Sequence, residues 1–309
     1  MQVIQGSSRW GFVLGVALSV ALAGCGEDNV DGTPAPQRFA VLSTFPAEMA
    51  PLLAQMTIDH TEIVNGRMFR IGTLAGVPVV LGVTGIGLLN AANTTRELLD
   101  RFEVAGVILS AVAGGTDQQI GDVAVLKAFA LKDGTTYAAD QQWLAQVSTL
   151  AASGKVDLER CTVVANPPPT DPVCLPQQPA VRVGGIGLSS DPYGDTPFAC
   201  MPGGADLYGC DLPAGAETTG LPGERATLKT VTTADATMPV TMDMETAAIA
   251  RETQAHGLPF IGFRAISDGG TGDPLGSRGF LQFAIYYRFA ARNAAALTVA
   301  FLKQLAAAQ

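Results

Sequence analysis

Two acids at opposite ends of one helix-then-strand unit offer this sequence its clearest chemistry. Thr241-Met242-Asp243-Met244-Glu245-Thr246-Ala247-Ala248-Ile249-Ala250 is followed, after a short interval, by Phe260-Ile261-Gly262-Phe263-Arg264-Ala265-Ile266-Ser267-Asp268-Gly269-Gly270. Ala247 to Ala250 read as a helix, His256-Gly257 as its C-terminal stop and residues 259–266 as a buried strand. Asp268 then emerges at the strand's carboxyl end, the edge at which open α/β sheets bind ligands. A carboxyl partly desolvated there acquires the raised pKa of a proton donor. The plain alternatives are a turn residue before Gly269-Gly270 for Asp268 and first-turn acids favoured by the helix dipole for Asp243 and Glu245. For Asp243 the plain reading is preferred.

The elements that must position these acids alternate along the chain. Phe39–Ser43 reads as a short apolar strand and residues 47–56 as a helix with Glu48 in its first turn. Arg67–Leu74 and Val77–Val83 form a hairpin turned at Ala75-Gly76, followed by a helix over 88–102 and strands over 104–109 and 123–132. Residues 153–235 break the rhythm with Pro167-Pro168-Pro169 and Cys-bearing turns, which predicts an irregular insertion. Regular structure returns at Thr241 and closes with an Ala-rich helix over 280–307. This is the pattern of an α/β domain around a mixed sheet.

The chain has 309 residues, 48% of them hydrophobic, ample for a packed core. Lys and Arg number 19 against 28 Asp and Glu, a net charge of -9, with no basic stripe that would track a phosphate backbone. A nucleic-acid partner is therefore not expected. At the N-terminus Arg9, the apolar run 11–23 and Leu22-Ala23-Gly24-Cys25 resemble a lipoprotein leader, which implies cleavage after residue 24 and lipidation of Cys25. A transmembrane anchor is the alternative, but the run is shorter than the ~20 residues a span needs. Residues 27–37 read as a tether. The remaining Cys161, Cys174, Cys200 and Cys210 allow three disulfide pairings, of which Cys161 with Cys174 and Cys200 with Cys210 are nearest in sequence. A metal site is the competing reading, but the spacings are not short Cys-x-x-Cys pairs and His60 and His256 are the available imidazoles.

Several short motifs in one order resemble the nucleoside phosphorylase and nucleosidase superfamily, most closely its 5'-methylthioadenosine/S-adenosylhomocysteine nucleosidase branch. They are the Met242–Ala250 and Arg264–Asp268 segments, supported by Thr84-Gly85-Ile86-Gly87, Ala113-Gly114-Gly115 and Ile120-Gly121-Asp122-Val123. The likeness covers roughly residues 39–131 and 181–301. It implies a three-layer αβα sandwich with a central mixed, partly barrel-like sheet, in a domain spanning 38–309.

By that resemblance Asp268, with Ser267 beside it, is the acid that protonates N7 of a purine, Glu245 grips the ribose hydroxyls, and Met244 lies against the ribose face. Glu48 resembles the water-activating glutamate. Tyr193, in Leu188-Ser189-Ser190-Asp191-Pro192-Tyr193, resembles the residue that stacks on the base, and Ile86 and Phe280 are further pocket candidates. Phosphorylases of the superfamily hold phosphate with arginines in the loops that here read as 43–48 and 110–115, and neither contains Arg or Lys. Water is thus the expected nucleophile. Val112 stands where a serine hydroxyl is usual in this family, and Ala111 where glycine is. The expectation is an exported, lipid-anchored homodimeric nucleosidase of the bacterial envelope, facing periplasm or cell surface and placed at the outer membrane, with a purine nucleoside as substrate and no metal or organic cofactor. A purine nucleoside phosphorylase and a catalytically decayed nucleoside-binding or adhesive surface lipoprotein are the alternatives.

Overall fold

Unbroken apolar runs build the middle of the fold, because a strand covered on both faces has no polar side to alternate with. A computed structural model describes residues 38–162, 172–201, 204–211 and 240–308. The leader 1–24, Cys25, the tether to residue 37 and the proline triplet lie outside the described residues. In chain order the elements are β1 (Phe39–Ser43), α1 (Pro46–Leu53), β2 (Met56–Val64), β3 (Arg67–Leu74), β4 (Val77–Val83), α2 (Leu88–Arg101) and β5 (Val107–Gly115). There follow β6 (Val123–Val125), β7 (Ala128–Leu131), β8 (Thr136–Ala138), α3 (Gln141–Ala152), β9 (Cys161–Thr162), β10 (Val173–Cys174), β11 (Val181–Val183) and β12 (Ile186–Ser189). The last are α4 (Ala205–Tyr208), β13 (Thr241–Asp243), α5 (Thr246–Ala255), β14 (Phe260–Asp268) and α6 (Gly279–Ala307).

One mixed sheet of 12 strands runs β2-β3-β4-β1-β5-β13-β12-β7-β8, with β14, β6 and β11 branching from it. β5 is the pivot. One of its edges is parallel to β1 at residues 107–109 and then passes to antiparallel β13 at Gly114-Gly115, while β14 runs parallel to it from Val107 to Gly114. Alternation along the strands sends side chains to two layers. Val41, Ile108, Ile261 and Phe263 pack with Leu52, Trp143 and Phe301 of α1, α3 and α6. Leu42, Leu109 and Phe260 pack with Leu98 and Ile249 of α2 and α5. This is the expected three-layer αβα arrangement, and no described helix is long and apolar enough to cross a membrane.

Several local expectations are corrected. The first helix stops at Leu53, and Met56 already opens β2, an edge strand with Asp59 and His60 exposed and Glu62 half-buried. Its charged, solvated faces give no alternation to read, and they also guard an edge against further pairing. The 123–132 strand is two, β6 and β7, because their partners differ: β6 lies beside β14 and β11, β7 beside β12 and β8. Residues 110–115 are not a loop. They continue β5, which begins at Val107 and holds register with β14 as far as Gly114.

Among the described residues of the stretch 153–235, β11 and β12 join the main sheet. Short strands flanked by glycine carry too little periodicity to stand out. Helix α3, also not anticipated, starts where Asp140 accepts a hydrogen bond from the Trp143 amide at 2.8 Å and turns Trp143 and Val147 into the core. The two disulfides are Cys161–Cys174 and Cys200–Cys210, the pairings nearest in sequence.

Candidate active site

Glu48 enters from the first turn of α1, directly after β1, where Pro46 opens the helix with no amide to leave unpaired. Its carboxylate is fully buried. Oε1 accepts the Val112 amide at 2.7 Å, and Oε2 accepts the Thr44 amide at 2.6 Å and the Thr44 hydroxyl at 2.7 Å. Burial lifts the carboxyl to about 7, against the lowering pull of Arg264 and those hydrogen bonds. A group poised there exchanges protons readily near neutral pH.

Glu245 stands at the N-cap of α5, after Asp243 ends β13. Asp243 is the organiser of this corner. Its Oδ1 accepts from the Ser189 hydroxyl and from the amides of Glu245 and Thr246, and its Oδ2 from the Thr246 hydroxyl. Glu245 is turned away from this network, and its Oε1 accepts the Gly87 amide at 2.9 Å. Gly87 has φ +99, a conformation side chains rarely adopt, and a Cβ there would lie 3.0 Å from the Tyr193 ring. Burial raises the Glu245 pKa, with Arg264 opposing the rise and Asp243 adding to it.

Arg264 ties the acids together from the middle of β14. Its guanidinium is buried and donates to the Val112 carbonyl at 2.7 Å, the Thr246 hydroxyl at 2.8 Å and Glu245 Oε2 at 3.0 Å. One guanidinium thus serves Glu48, Asp243 and Glu245. A single buried cation cannot neutralise three carboxylates, so the cluster favours holding a proton.

Asp268 ends β14 opposite Gly114 of β5. The Ser267 hydroxyl donates to Oδ1 at 2.7 Å, and a Cβ at residue 114 would come within 3.3 Å of Oδ2, so glycine keeps that oxygen open. Burial raises the Asp268 pKa, and the Ser267 bond opposes it. Val112, which receives Glu48, and Gly114, which faces Asp268, are two residues apart on β5, roughly 7 Å along an extended chain. Glu48 and Asp268 therefore meet β5 two residues apart, and Glu245 is joined to the same strand through Arg264.

Beside them lies a cavity of about 470 Å³ whose wall includes Thr44, Phe45, Gly85 and Ile86 on the side of the acids and Phe198 and Tyr208 on the other. Of the expected contact residues, Ile86 is half-buried in this wall, and Met244 is half-buried next to Glu245. Tyr193 has its ring centroid 4.9 Å from that of Phe198. Val112 is buried and contributes its backbone on both sides, amide to Glu48 and carbonyl to Arg264. Phe280 is 65% exposed at the start of α6 and rests on Phe283, while Phe283 and Tyr287 lie against Phe45.

Arg264, Thr44 and Asp191 had no assigned role before the structure. Arg264 carried a signal, a cation inside the apolar run 260–266, which demands buried partners. Asp191 accepts the amides of Leu88 and Tyr193 and so fastens the start of α2 to the segment bearing Tyr193. Nothing in its spacing from Leu88 foretold that. Arg67 also reaches the cavity wall, but it donates to the Thr84 carbonyl and pairs with Glu97 at 2.8 Å.

The family model described as Phosphorylase superfamily matches residues 38–303. An uncharacterized protein of Mycobacterium tuberculosis is 35% identical over 221 residues, covering 62% of this chain and 86% of its own length. The 5'-methylthioadenosine/S-adenosylhomocysteine nucleosidase of Tolumonas auensis is 29% identical over 273 residues, covering 87% of this chain and all of its own. Among solved structures, the nucleosidase of the same description from Neisseria meningitidis, in complex with methylthio-immucillin-A, superposes with a TM-score of 0.58 at 20% identity, covering 87% of this chain and 99% of that one.

Proposed function

This chain belongs to the phosphorylase superfamily, and on that premise we propose that it is an N-glycosyl hydrolase that cleaves purine nucleosides with water. The observation that carries the reading is the gathering of Glu48, Glu245 and Asp268 around β5 and Arg264. The glycosidic bond breaks through an oxocarbenium-like state, which needs a neutralised leaving base and negative charge near the sugar. Asp268, with its pKa raised by burial, gives its proton to N7 of the base. Glu245, steadied by Gly87 and Arg264, accepts the ribose hydroxyls and faces the developing cation. Glu48 takes the proton of the water that attacks C1'. The Tyr193 ring stacks on the base.

Hydrolysis is favoured over phosphorolysis because Arg67, the guanidinium in the cavity wall, is committed to Thr84 and Glu97. Adenosine, methylthioadenosine and inosine, each with and without phosphate, test the whole reading through release of free base. Release that needs phosphate replaces the hydrolase by a phosphorylase, and nucleoside binding without release in any mixture leaves only a binding protein.

The proposal includes export and lipidation at Cys25, supported by the Leu22-Ala23-Gly24-Cys25 motif and by paired cysteines, which suit an oxidising compartment. Labelled fatty acid should enter the wild type and not Cys25→Ala, and the label should fractionate with the outer membrane. A homodimer is proposed with it and is tested by light scattering of the chain from residue 26.

A further inference from the structure

We propose that Thr44 is the residue that meets the attacking water and relays its proton to Glu48. This rests on the hydrolase reading above. Glu48 is fully buried and lies behind the cavity wall, which this turn builds from Thr44, Phe45 and Pro46. A base that is walled off needs an intermediary to act on a molecule in the cavity. The Thr44 hydroxyl already donates to Glu48 Oε2 at 2.7 Å, and the Thr44 amide holds the same oxygen at 2.6 Å, so the donor is fixed in direction. With its one hydrogen committed to Glu48, the hydroxyl oxygen keeps lone pairs to accept a hydrogen bond from water.

On the other oxygen of Glu48 the Val112 amide occupies one acceptor site, and the Val112 side chain supplies only methyl groups to orient a water there. The hydroxyl that this pocket needs thus comes from the loop after β1 instead of from β5. Neighbouring charge is the same for either route: Arg264 faces Glu48 from β14, with Glu245 and Asp243 on its far side.

The step balances as follows. One O–H bond of the water breaks and its proton passes to Thr44 Oγ1 while the Thr44 proton passes to Glu48 Oε2. The freed electron pair on the water oxygen forms the new bond to C1'. The C1'–N9 bond breaks with its pair going to the base, whose N7 takes the proton of Asp268. Thr44 ends as it began, Glu48 is protonated and Asp268 is ionised, and exchange with solvent resets both acids. No oxidant, metal or other reactant enters.

The test measures kcat, KM and their pH dependence for wild type, Thr44→Val, Thr44→Ala and Thr44→Ser, using whichever of adenosine, methylthioadenosine and inosine the wild type cleaves fastest. A relay predicts that Thr44→Val and Thr44→Ala lose about 100-fold in kcat with KM little changed, and that Thr44→Ser stays within several-fold of wild type. A hydroxyl that only tuned Glu48 would move the rise of activity to higher pH and return full kcat above it; a relay keeps kcat low at every pH. Thermal melts accompany each variant, and the alanine replaces the valine if the latter does not fold. Recovery of full kcat by Thr44→Val or Thr44→Ala at high pH, or a Thr44→Ser as slow as they are, overturns the relay and leaves the hydrolase standing. A wild type that releases no base from any of the three nucleosides removes both.

Discussion

Arg264 donates to Glu245 across 3.0 Å inside a site where both side chains are buried. Removing one partner of such a pair leaves the other uncompensated, which costs about 3–5 kcal/mol. Arg264→Met is expected to lower unfolding stability by that amount in urea titrations and to abolish base release. Arg264→Lys should recover part of the stability but not the three-way hold on Val112, Thr246 and Glu245, because an ammonium lacks the planar fork.

Asp268→Asn removes the proton donor while keeping shape and the open face at Gly114. Base release should fall by about 100-fold or more in kcat, with nucleoside binding retained. Unchanged turnover in this variant would reassign the acid even if the reaction class stood.

Glu48 makes both activity and stability depend on pH. As the base it must be ionised, so kcat/KM should climb as pH rises toward about 7 and level off above. Stability runs the other way. Below 4.5, the ordinary value of a glutamate, the carboxyl is neutral in folded and unfolded chains alike; between 4.5 and about 7 the unfolded chain ionises while the folded one keeps its proton. The stabilisation present at low pH is therefore lost as pH passes through the folded value, by about 3 kcal/mol in all. Denaturant titrations of wild type and Glu48→Gln at pH 4 and pH 8 should diverge by that difference, with the variant gaining relative to wild type at the higher pH. Parallel pH profiles for the two proteins would refute it.

Tyr193→Ala should raise KM for a purine nucleoside by about 5- to 150-fold with a smaller effect on kcat, the range that stacking energies of about 1–3 kcal/mol imply. Tyr193→Phe should be near wild type. The Phe198 ring beside Tyr193 predicts that Phe198→Ala produces a weaker version of the same change, through looser positioning of Tyr193.

The Cys200–Cys210 bridge staples the segment that forms the far wall of the cavity, and Asp211 just beyond it is held by a two-pronged pair with Arg70 at 2.7 and 2.6 Å. The double variant Cys200→Ser/Cys210→Ser should lose about 2–3 kcal/mol of stability by calorimetry. Its KM should rise more than its kcat falls, since the wall bounds the pocket while the hydrogen bonds that hold the three acids come from other segments.

The hairpin Arg67–Leu74 and Val77–Val83, the first strand and the acids at Glu48, Glu245 and Asp268 were all legible in the sequence. The strands carry local signals, alternation and a Gly turn, whereas the acids stood out through the family resemblance of the motifs around them. Edge strand β2 was not legible because solvent covers both its faces, and the break between β6 and β7 was not because it follows from which strands lie beside them. The exposure of Phe280 at the start of α6 was likewise not legible, because it follows from the direction in which α6 leaves the sheet.

By itself the sequence determined the α/β class and a set of acids whose types and order resemble those of glycosidic cleavage; it left three disulfide pairings open, of which the structure has the one nearest in sequence. Only the tertiary structure decided how those acids act on one another. Glu48 and Val112 are 64 positions apart, and Glu245 and Gly87 are 158 apart, yet each pair is hydrogen-bonded. A carboxyl's protonation depends on the water excluded around it and the charges brought to it, and both are fixed by packing between distant segments. That is why Arg264 and Thr44, given no role by the sequence reading, hold the acids in the structure.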